Sequence, residues 1–130
     1  MKKTIALALL ATFSWGGQQL YKLNCTSCHL NDRPQTPQER QSMIAPPITG
    51  IMFHLSEEFD SKEAIKNHIV EFSLNPTYET AICESIDRFG IMPSMEGIVN
   101  KEELGLIANW LIEEMTPTKE EYEAQRQDRR

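Results

Sequence analysis

The feature that most constrains this 130-residue chain is the run Cys25-Thr26-Ser27-Cys28-His29, called the CxxCH run below. Its two thiols stand three positions apart and an imidazole follows at once, so all three groups must share one short stretch of backbone. The chain has three cysteines, and the third, Cys83, stands alone. An odd number of cysteines does not fit a framework of disulfides, so the run needs another explanation.

Each residue type in the CxxCH run suits the covalent attachment of a haem. The thiols of Cys25 and Cys28 can add to the two vinyl groups of a haem, and His29 can then bind the iron through one ring nitrogen. Two other interpretations are weaker. A thioredoxin-like CxxC should lie near a βαβ pattern, and a structural zinc site should have a second Cys or His pair at close spacing. The sequence shows neither, so we expect one covalent haem c.

Residues 1–16 have the pattern of a secretory signal peptide. The basic start Lys2-Lys3 precedes an apolar stretch over 5–13, and small residues then offer cleavage after Ser14 or after Gly16. The apolar stretch is too short to span a bilayer, which takes about 20 residues. We therefore expect export to the periplasm without stable membrane insertion, which fits a cofactor that is attached after export.

The acidic balance of the chain limits its partners. The formal net charge is −6, and loss of residues 1–16 would make it −8 because two lysines and no acidic residue would leave. Nucleic acid and anionic membranes repel such a surface, so we expect neither as a partner. The charge favours a redox partner protein with a basic docking patch, with association that weakens as salt rises.

The apolar periodicity predicts an all-α chain of about four short helices joined by long loops, with no convincing strand. We predict helices over 17–24, 61–74 and 77–89 and a last one between Asn100 and Pro117, and we predict a loop over 30–50, which contains four prolines. Residues 17–115 are expected to form one domain, and residues 116–130 are expected to be a charged C-terminal tail.

An iron bound by His29 needs a sixth ligand or an open position. We favour Met92, because Pro93 restricts the backbone of its irregular segment and helps to hold a loop methionine over the haem. Met95 is the local rival. A bis-histidine site is the second choice. The full set of candidates is Met43, Met52, Met92, Met95, Met115, His54 and His68.

Four segments in order carry a family resemblance: the first helix with the CxxCH run, Ala45-Pro46-Pro47-Ile48-Thr49-Gly50, Ile91-Met92-Pro93-Ser94-Met95, and residues 102–111. Over nearly the whole mature length the chain resembles the class I, monohaem cytochrome c family. The resemblance implies that Trp110 of the closing helix packs near Gly17 and Tyr21 of the first.

The resemblance also implies a cytochrome c-like fold around one haem. In such a site the Pro46 carbonyl accepts a hydrogen bond from the ligating His29, which fixes the ring and raises its basicity. Ile48 would line the haem pocket, and Met92 would be the second axial ligand. His54 has apolar neighbours and would line the pocket or bind a propionate, whereas Cys83 needs no function as a small buried side chain.

These features together predict a soluble, monomeric single-electron carrier in a periplasmic redox chain. Iron that keeps a histidine and a methionine in both oxidation states reorganises little, which favours electron transfer. We do not expect an enzyme, because saturated iron offers no substrate position and no acid–base pair is visible. Two alternatives stay open: a haem-based sensor in which a diatomic ligand displaces the methionine, and a haem subunit of a larger oxidoreductase.

Overall fold

The computed structural model describes residues 16–128. All regular structure in this part of the chain is helical, which confirms the predicted all-α class. No helix within these residues is long and apolar enough to cross a membrane. The predicted signal peptide lies outside the described residues except for Gly16. The helices are α1 (described over 16–24), α2 (Pro37–Ser42), α3 (Ile48–Glu58), α4 (Lys62–Leu74), α5 (Ile86–Phe89), α6 (Lys101–Glu114) and α7 (Lys119–Gln127).

Capping side chains in the sequence set the start of four helices. The Ser61 hydroxyl accepts the Ala64 amide in the first turn of α4, and Asn100 forms a capping box at α6. Thr36 and Thr118 form the same box at α2 and α7. In each box a glutamate three residues on accepts the amide of the cap, so two amides without intrahelical partners are satisfied. The predicted starts of α4 and α6 are confirmed.

The prediction of a loop over residues 30–50 is wrong in two places. α2 lies inside this stretch, because Pro37 occupies the first helical turn, where its missing N–H costs no hydrogen bond. α3 begins at Ile48, directly after Pro47. Proline is unfavourable in the interior of a helix, but it is well suited to the start.

The predicted helix over 77–89 is mostly absent. Only α5, a single turn, is helical, and the residues before it form an isolated turn in which the Thr80 amide donates to the Thr77 hydroxyl. Gly90 ends α5 as the sequence indicates. Its φ of 75° lies in the left-handed region, which glycine adopts without a Cβ clash.

The core lies between α4 and α6 and extends to α1 and α3. A surface ion pair from Lys62 Nζ to Glu113 Oε1, at 2.8 Å, also joins α4 to α6, but both side chains are exposed, so burial of apolar surface is the main stabilising term. The buried core cluster consists of Tyr21, Ile48, Met52, Leu55, Ile65, Val99, Leu104, Ile107 and Leu111.

α1 approaches α6 most closely at Gly17. A Cβ atom at this position would lie 2.9 Å from Trp110 Cβ and closer still to the Leu106 carbonyl oxygen. One turn later Tyr21 is only 1% exposed, and its ring centroid lies 5.0 Å from that of Trp110. The contact predicted between Trp110 and the pair Gly17 and Tyr21 is therefore confirmed.

The predicted charged tail contains a helix, α7, that packs against α3. Tyr122 is the buried residue of α7, and its ring stacks on Phe53 with centroids 3.8 Å apart and planes 9° apart. The Arg33 guanidinium lies over the Tyr122 ring at 4.4 Å. Since the Phe53 ring covers one face, the guanidinium covers the other. A polar helix is thus held largely by one aromatic side chain.

We expect Gly17→Ala to lower the free energy of unfolding by about 1–3 kcal/mol, because the added methyl group forces α1 away from α6. Gly105→Ala is the matched control. There the new Cβ meets only the flexible end of Lys66, at 3.4 Å, and alanine favours the helix. Denaturant titration followed by circular dichroism measures both variants, and equal stability of the two would contradict the close crossing.

We expect Tyr122→Ala to release α7 from α3 while the rest of the core stays folded. Aromatic stacking contributes about 0.5–1.5 kcal/mol beyond the burial of area, so amides in α7 should exchange with solvent roughly tenfold faster or more. Amides in α6 should keep their rates. Tyr78→Ala, at a position that is 67% exposed, serves as the control. Unchanged exchange in α7 would show that Tyr122 does not anchor it.

Candidate functional site

The CxxCH run folds as a tight turn at the C-terminal end of α1. The Cys25 amide donates to the Tyr21 carbonyl at 2.9 Å, which carries the helical pattern into the run. The amides of Cys28 and His29 then both donate to the Cys25 carbonyl, at 3.3 and 3.0 Å. This turn brings two thiols and one imidazole together on a single loop.

Both thiols of the run are free and do not form a disulfide. Cys25 is half-buried and Cys28 is exposed. Burial, and then the charge of the neighbouring Cys28, raises the pKa of Cys25 to about 11. The negative end of the α1 dipole also disfavours a thiolate here. A cysteine that works by thiol exchange needs a lowered pKa, so the site does not favour a thioredoxin-like function.

The His29 ring is held by the Pro46 carbonyl, whose oxygen lies 2.7 Å from Nδ1. A carbonyl oxygen can only accept, so Nδ1 carries the proton and Nε2 keeps a free lone pair. Burial lowers the pKa of His29, and the bond to Pro46 offsets this only in part, so the ring is neutral. A neutral imidazole with one free nitrogen is the form that binds a metal.

The bond from His29 is one of three that join residues 29–31 to residues 46–49, and we call this set the loop ladder. It fixes the Pro46 carbonyl, and it also gives partners to two amides at the start of α3 that have no intrahelical acceptor. Its bonds are His29 Nδ1 to the Pro46 carbonyl (2.7 Å), the Ile48 amide to the Leu30 carbonyl (2.8 Å) and the Thr49 amide to the Asn31 carbonyl (3.0 Å).

Apolar side chains beside the loop ladder fall into two groups. Ile48, predicted to line a haem pocket, is only 5% exposed and belongs to the core cluster. Leu30 and Ile44 are 41% and 64% exposed, although Leu30 follows His29 and Ile44 lies two residues before Pro46. Exposed apolar side chains this close in sequence to His29 and Pro46 are what a flat, apolar, covalently bound cofactor such as haem could cover.

The methionines differ in their packing. Met52 is 1% exposed, and Met95 and Met115 pack against the core cluster. The Met95 amide also donates to the Ser73 carbonyl at 2.8 Å, which ties the irregular segment to α4. Met92, in the same segment, is half-buried and lies outside the described core cluster. Met43, the C-cap of α2, is likewise half-buried and outside the cluster, so core packing leaves both Met43 and Met92 available.

The two further histidines make aromatic contacts elsewhere. His54 on α3 is exposed, and its Nε2 lies 3.3 Å from the Tyr122 hydroxyl on α7. His68 on α4 lies between Phe59 and Phe72, with ring centroids 5.2 and 5.5 Å away. Burial lowers the pKa of His68. These contacts do not favour either histidine as a partner of His29.

Sequence reasoning missed a hydrogen bond from the Tyr21 hydroxyl to Asn31 Oδ1, which measures 2.6 Å. Burial, followed by the charges of Cys25 and Asp32, raises the pKa of Tyr21 to about 12, so the hydroxyl stays protonated and donates. Nothing in the spacing of positions 21 and 31 indicates this contact, because it depends on how the chain turns after α1.

Zinc coordination finds no support in the arrangement of side chains. Within residues 16–128 no group of three or more His, Cys, Asp or Glu side chains lies close enough to hold a metal ion. Structural zinc sites take four such ligands, and catalytic ones take three.

No protein-family model and no solved structure matches the chain. A protein of Aquifex aeolicus (strain VF5), described as uncharacterized, is 23% identical over 109 residues. The match covers 73% of this chain and 70% of that protein. At this level of identity the similarity does not establish a family.

Proposed function

We propose that this chain carries single electrons through one covalently bound haem c in a cytochrome c-like fold. Cys25 and Cys28 would form the thioether bonds, and His29 would be an axial ligand. The observation that carries the proposal is the hydrogen bond from His29 Nδ1 to the Pro46 carbonyl, at 2.7 Å. It leaves Nε2 free on the same turn that bears both thiols.

Each residue of the site has a defined part in this proposal. When bound, the haem supplies reversible one-electron chemistry at its iron. Each cysteine thiol would add to a vinyl group, with its sulfur on one carbon and its proton on the neighbouring carbon, so attachment would need no oxidant. Pro46 fixes the plane of the His29 ring and makes its free nitrogen more basic. Ile48, two residues after Pro46, packs in the core and so would make the Pro46 side of the proposed pocket rigid.

We propose Met92 as the second axial ligand. The packing of Met52, Met95 and Met115 argues against those three, because moving any of them to an iron would take it from the core. Pro93, which restricts the backbone directly after Met92, favours Met92 over Met43. The Ser94 hydroxyl, bonded to the Leu74 carbonyl at 2.5 Å, holds the segment that follows Met92 against α4. A thioether ligand favours reduced iron and so raises the reduction potential.

The proposed setting is the periplasm, with residues 1–16 as the export signal and the mature protein a monomer. The formal net charge of −6 favours partner proteins with a basic docking patch rather than nucleic acid. A haem-based sensor and a haem subunit of a larger oxidoreductase are the competing proposals, and ligand binding by the reduced protein distinguishes the sensor from the carrier.

We expect the double variant Cys25→Ala and Cys28→Ala to lose covalent haem, because no thiol remains in the CxxCH run. The full chain is expressed in cells that can attach haem to exported proteins, and haem staining after denaturing electrophoresis gives the readout. Cys83→Ala is the matched control and should stain as strongly as the wild type. Haem staining of the double variant would contradict the proposed attachment.

We expect the wild type to show a reversible one-electron redox titration and, when oxidised, a near-infrared sulfur-to-iron band. Met92→Ala should lose this band, and its reduced form should bind carbon monoxide because one iron position opens. Met95→Ala is the control and should keep the band. A band that survives Met92→Ala would exclude Met92 as the ligand. Carbon monoxide binding by the reduced wild type at neutral pH would favour the sensor.

A further inference from the structure

We propose that Tyr21 is a positioning residue for His29: its hydroxyl, acting through Asn31, holds the loop ladder in place and so fixes the direction of the His29 ring. This inference rests on the proposed function, in which His29 is an axial ligand. Among the described residues Tyr21 makes no hydrogen bond to the His29 ring. It acts through the backbone of residues 29–31.

Tyr21 holds the CxxCH run at both of its ends. Its carbonyl accepts the Cys25 amide at 2.9 Å, and the Cys25 carbonyl accepts the His29 amide at 3.0 Å. Two residues beyond His29, the chain returns to the same tyrosine, where the hydroxyl donates to Asn31 Oδ1 at 2.6 Å. The backbone around His29 is thus enclosed by hydrogen bonds that begin at the Tyr21 carbonyl and end at the Tyr21 hydroxyl.

Asn31 transmits this constraint to the loop ladder. Its side chain accepts from Tyr21, and its carbonyl accepts the Thr49 amide at 3.0 Å. The neighbouring bond joins the Leu30 carbonyl to the start of α3, and the next is the bond from His29 to Pro46. A change in the backbone conformation of Asn31 would therefore disturb its bond to the Thr49 amide, and this bond lies only two residues along the chain from His29.

The ring of Tyr21 provides a fixed point for this bond. It is 1% exposed and packs against Trp110, one helical turn from the close crossing at Gly17. Asn31, in contrast, is exposed. Phenylalanine would fill the same space against Trp110, so packing alone does not require the hydroxyl. A buried hydroxyl costs free energy unless it is bonded, and the bond it makes here goes to the ladder.

Loss of this bond has a chemical consequence at His29. When residues 29–31 are held less firmly, the bond from His29 Nδ1 to the Pro46 carbonyl becomes longer or less linear. A weaker bond at Nδ1 lowers the basicity of Nε2. A less basic axial ligand stabilises oxidised iron less, so the reduction potential rises. The Nδ1 proton, less firmly held, exchanges faster with solvent. A purely structural role for the hydroxyl would change stability without changing these two quantities together.

The test compares wild-type holoprotein with Tyr21→Phe. We expect full haem content, a higher reduction potential in a redox titration, and exchange of the His29 Nδ1 proton faster by roughly twofold to tenfold, the range that the loss of one hydrogen bond allows. Exchange is followed by NMR of the reduced protein. Tyr122→Phe is the matched control, because it removes the hydroxyl of another buried tyrosine, bonded to His54, and should change neither quantity.

Asn31→Ala tests the same link from an exposed position, where the substitution leaves the core intact. It should reproduce the effects of Tyr21→Phe on the potential and on Nδ1 exchange. The double variant should show no larger effect than either single variant, because both substitutions remove the same bond, from the Tyr21 hydroxyl to Asn31 Oδ1. An unchanged potential and unchanged Nδ1 exchange in both single variants, at full haem content, would overturn this inference alone. Absence of covalent haem from the wild type would instead overturn the proposed function.

Discussion

The bond from His29 Nδ1 to the Pro46 carbonyl is the interaction on which the rest of the site depends. It connects the turn after α1 to the start of α3, and it decides which ring nitrogen carries a proton. Without it, the imidazole of a CxxCH run could rotate, and either nitrogen could face outward. With it, a half-buried neutral ring presents Nε2 from the loop that also bears both thiols. The chemistry of the run thus depends on a contact 17 residues away along the chain.

The packing of α1, α3 and α6 holds the two loops that this bond connects. Gly17 lets α1 pack closely against α6, which holds the helix that leads into the CxxCH run. Tyr21, one turn later, belongs to the core through its ring and is bonded to Asn31 of the loop ladder through its hydroxyl. Ile48 has a similar double position, with its side chain in the core and its amide on the Leu30 carbonyl. Close packing of these buried side chains leaves the loops little freedom, so loops without regular structure can still hold a precise geometry.

Predictions from sequence succeeded where the signal is local. The caps of α4 and α6 depend on residues three positions apart, and the structure has both. Predictions failed at α2 and α3, because a proline at the first turn of a helix and a proline in a loop look alike in sequence. α7 was missed as a packed element because its surface is polar, and Tyr122 gains its partners, Phe53 and Arg33, only after folding.

The sequence by itself determined the composition of the candidate site, because the spacing of two thiols and an imidazole is a property of neighbouring residues. It also determined the all-α class through apolar periodicity and capping, which are short-range as well. Tertiary structure decided which nitrogen of His29 is free, which of the five candidate methionines pack in the core and which do not, and that the Tyr21 hydroxyl meets Asn31. These outcomes depend on contacts between segments distant in the chain. Such contacts leave no periodic pattern in the sequence, and they exist only once the core has brought the segments together.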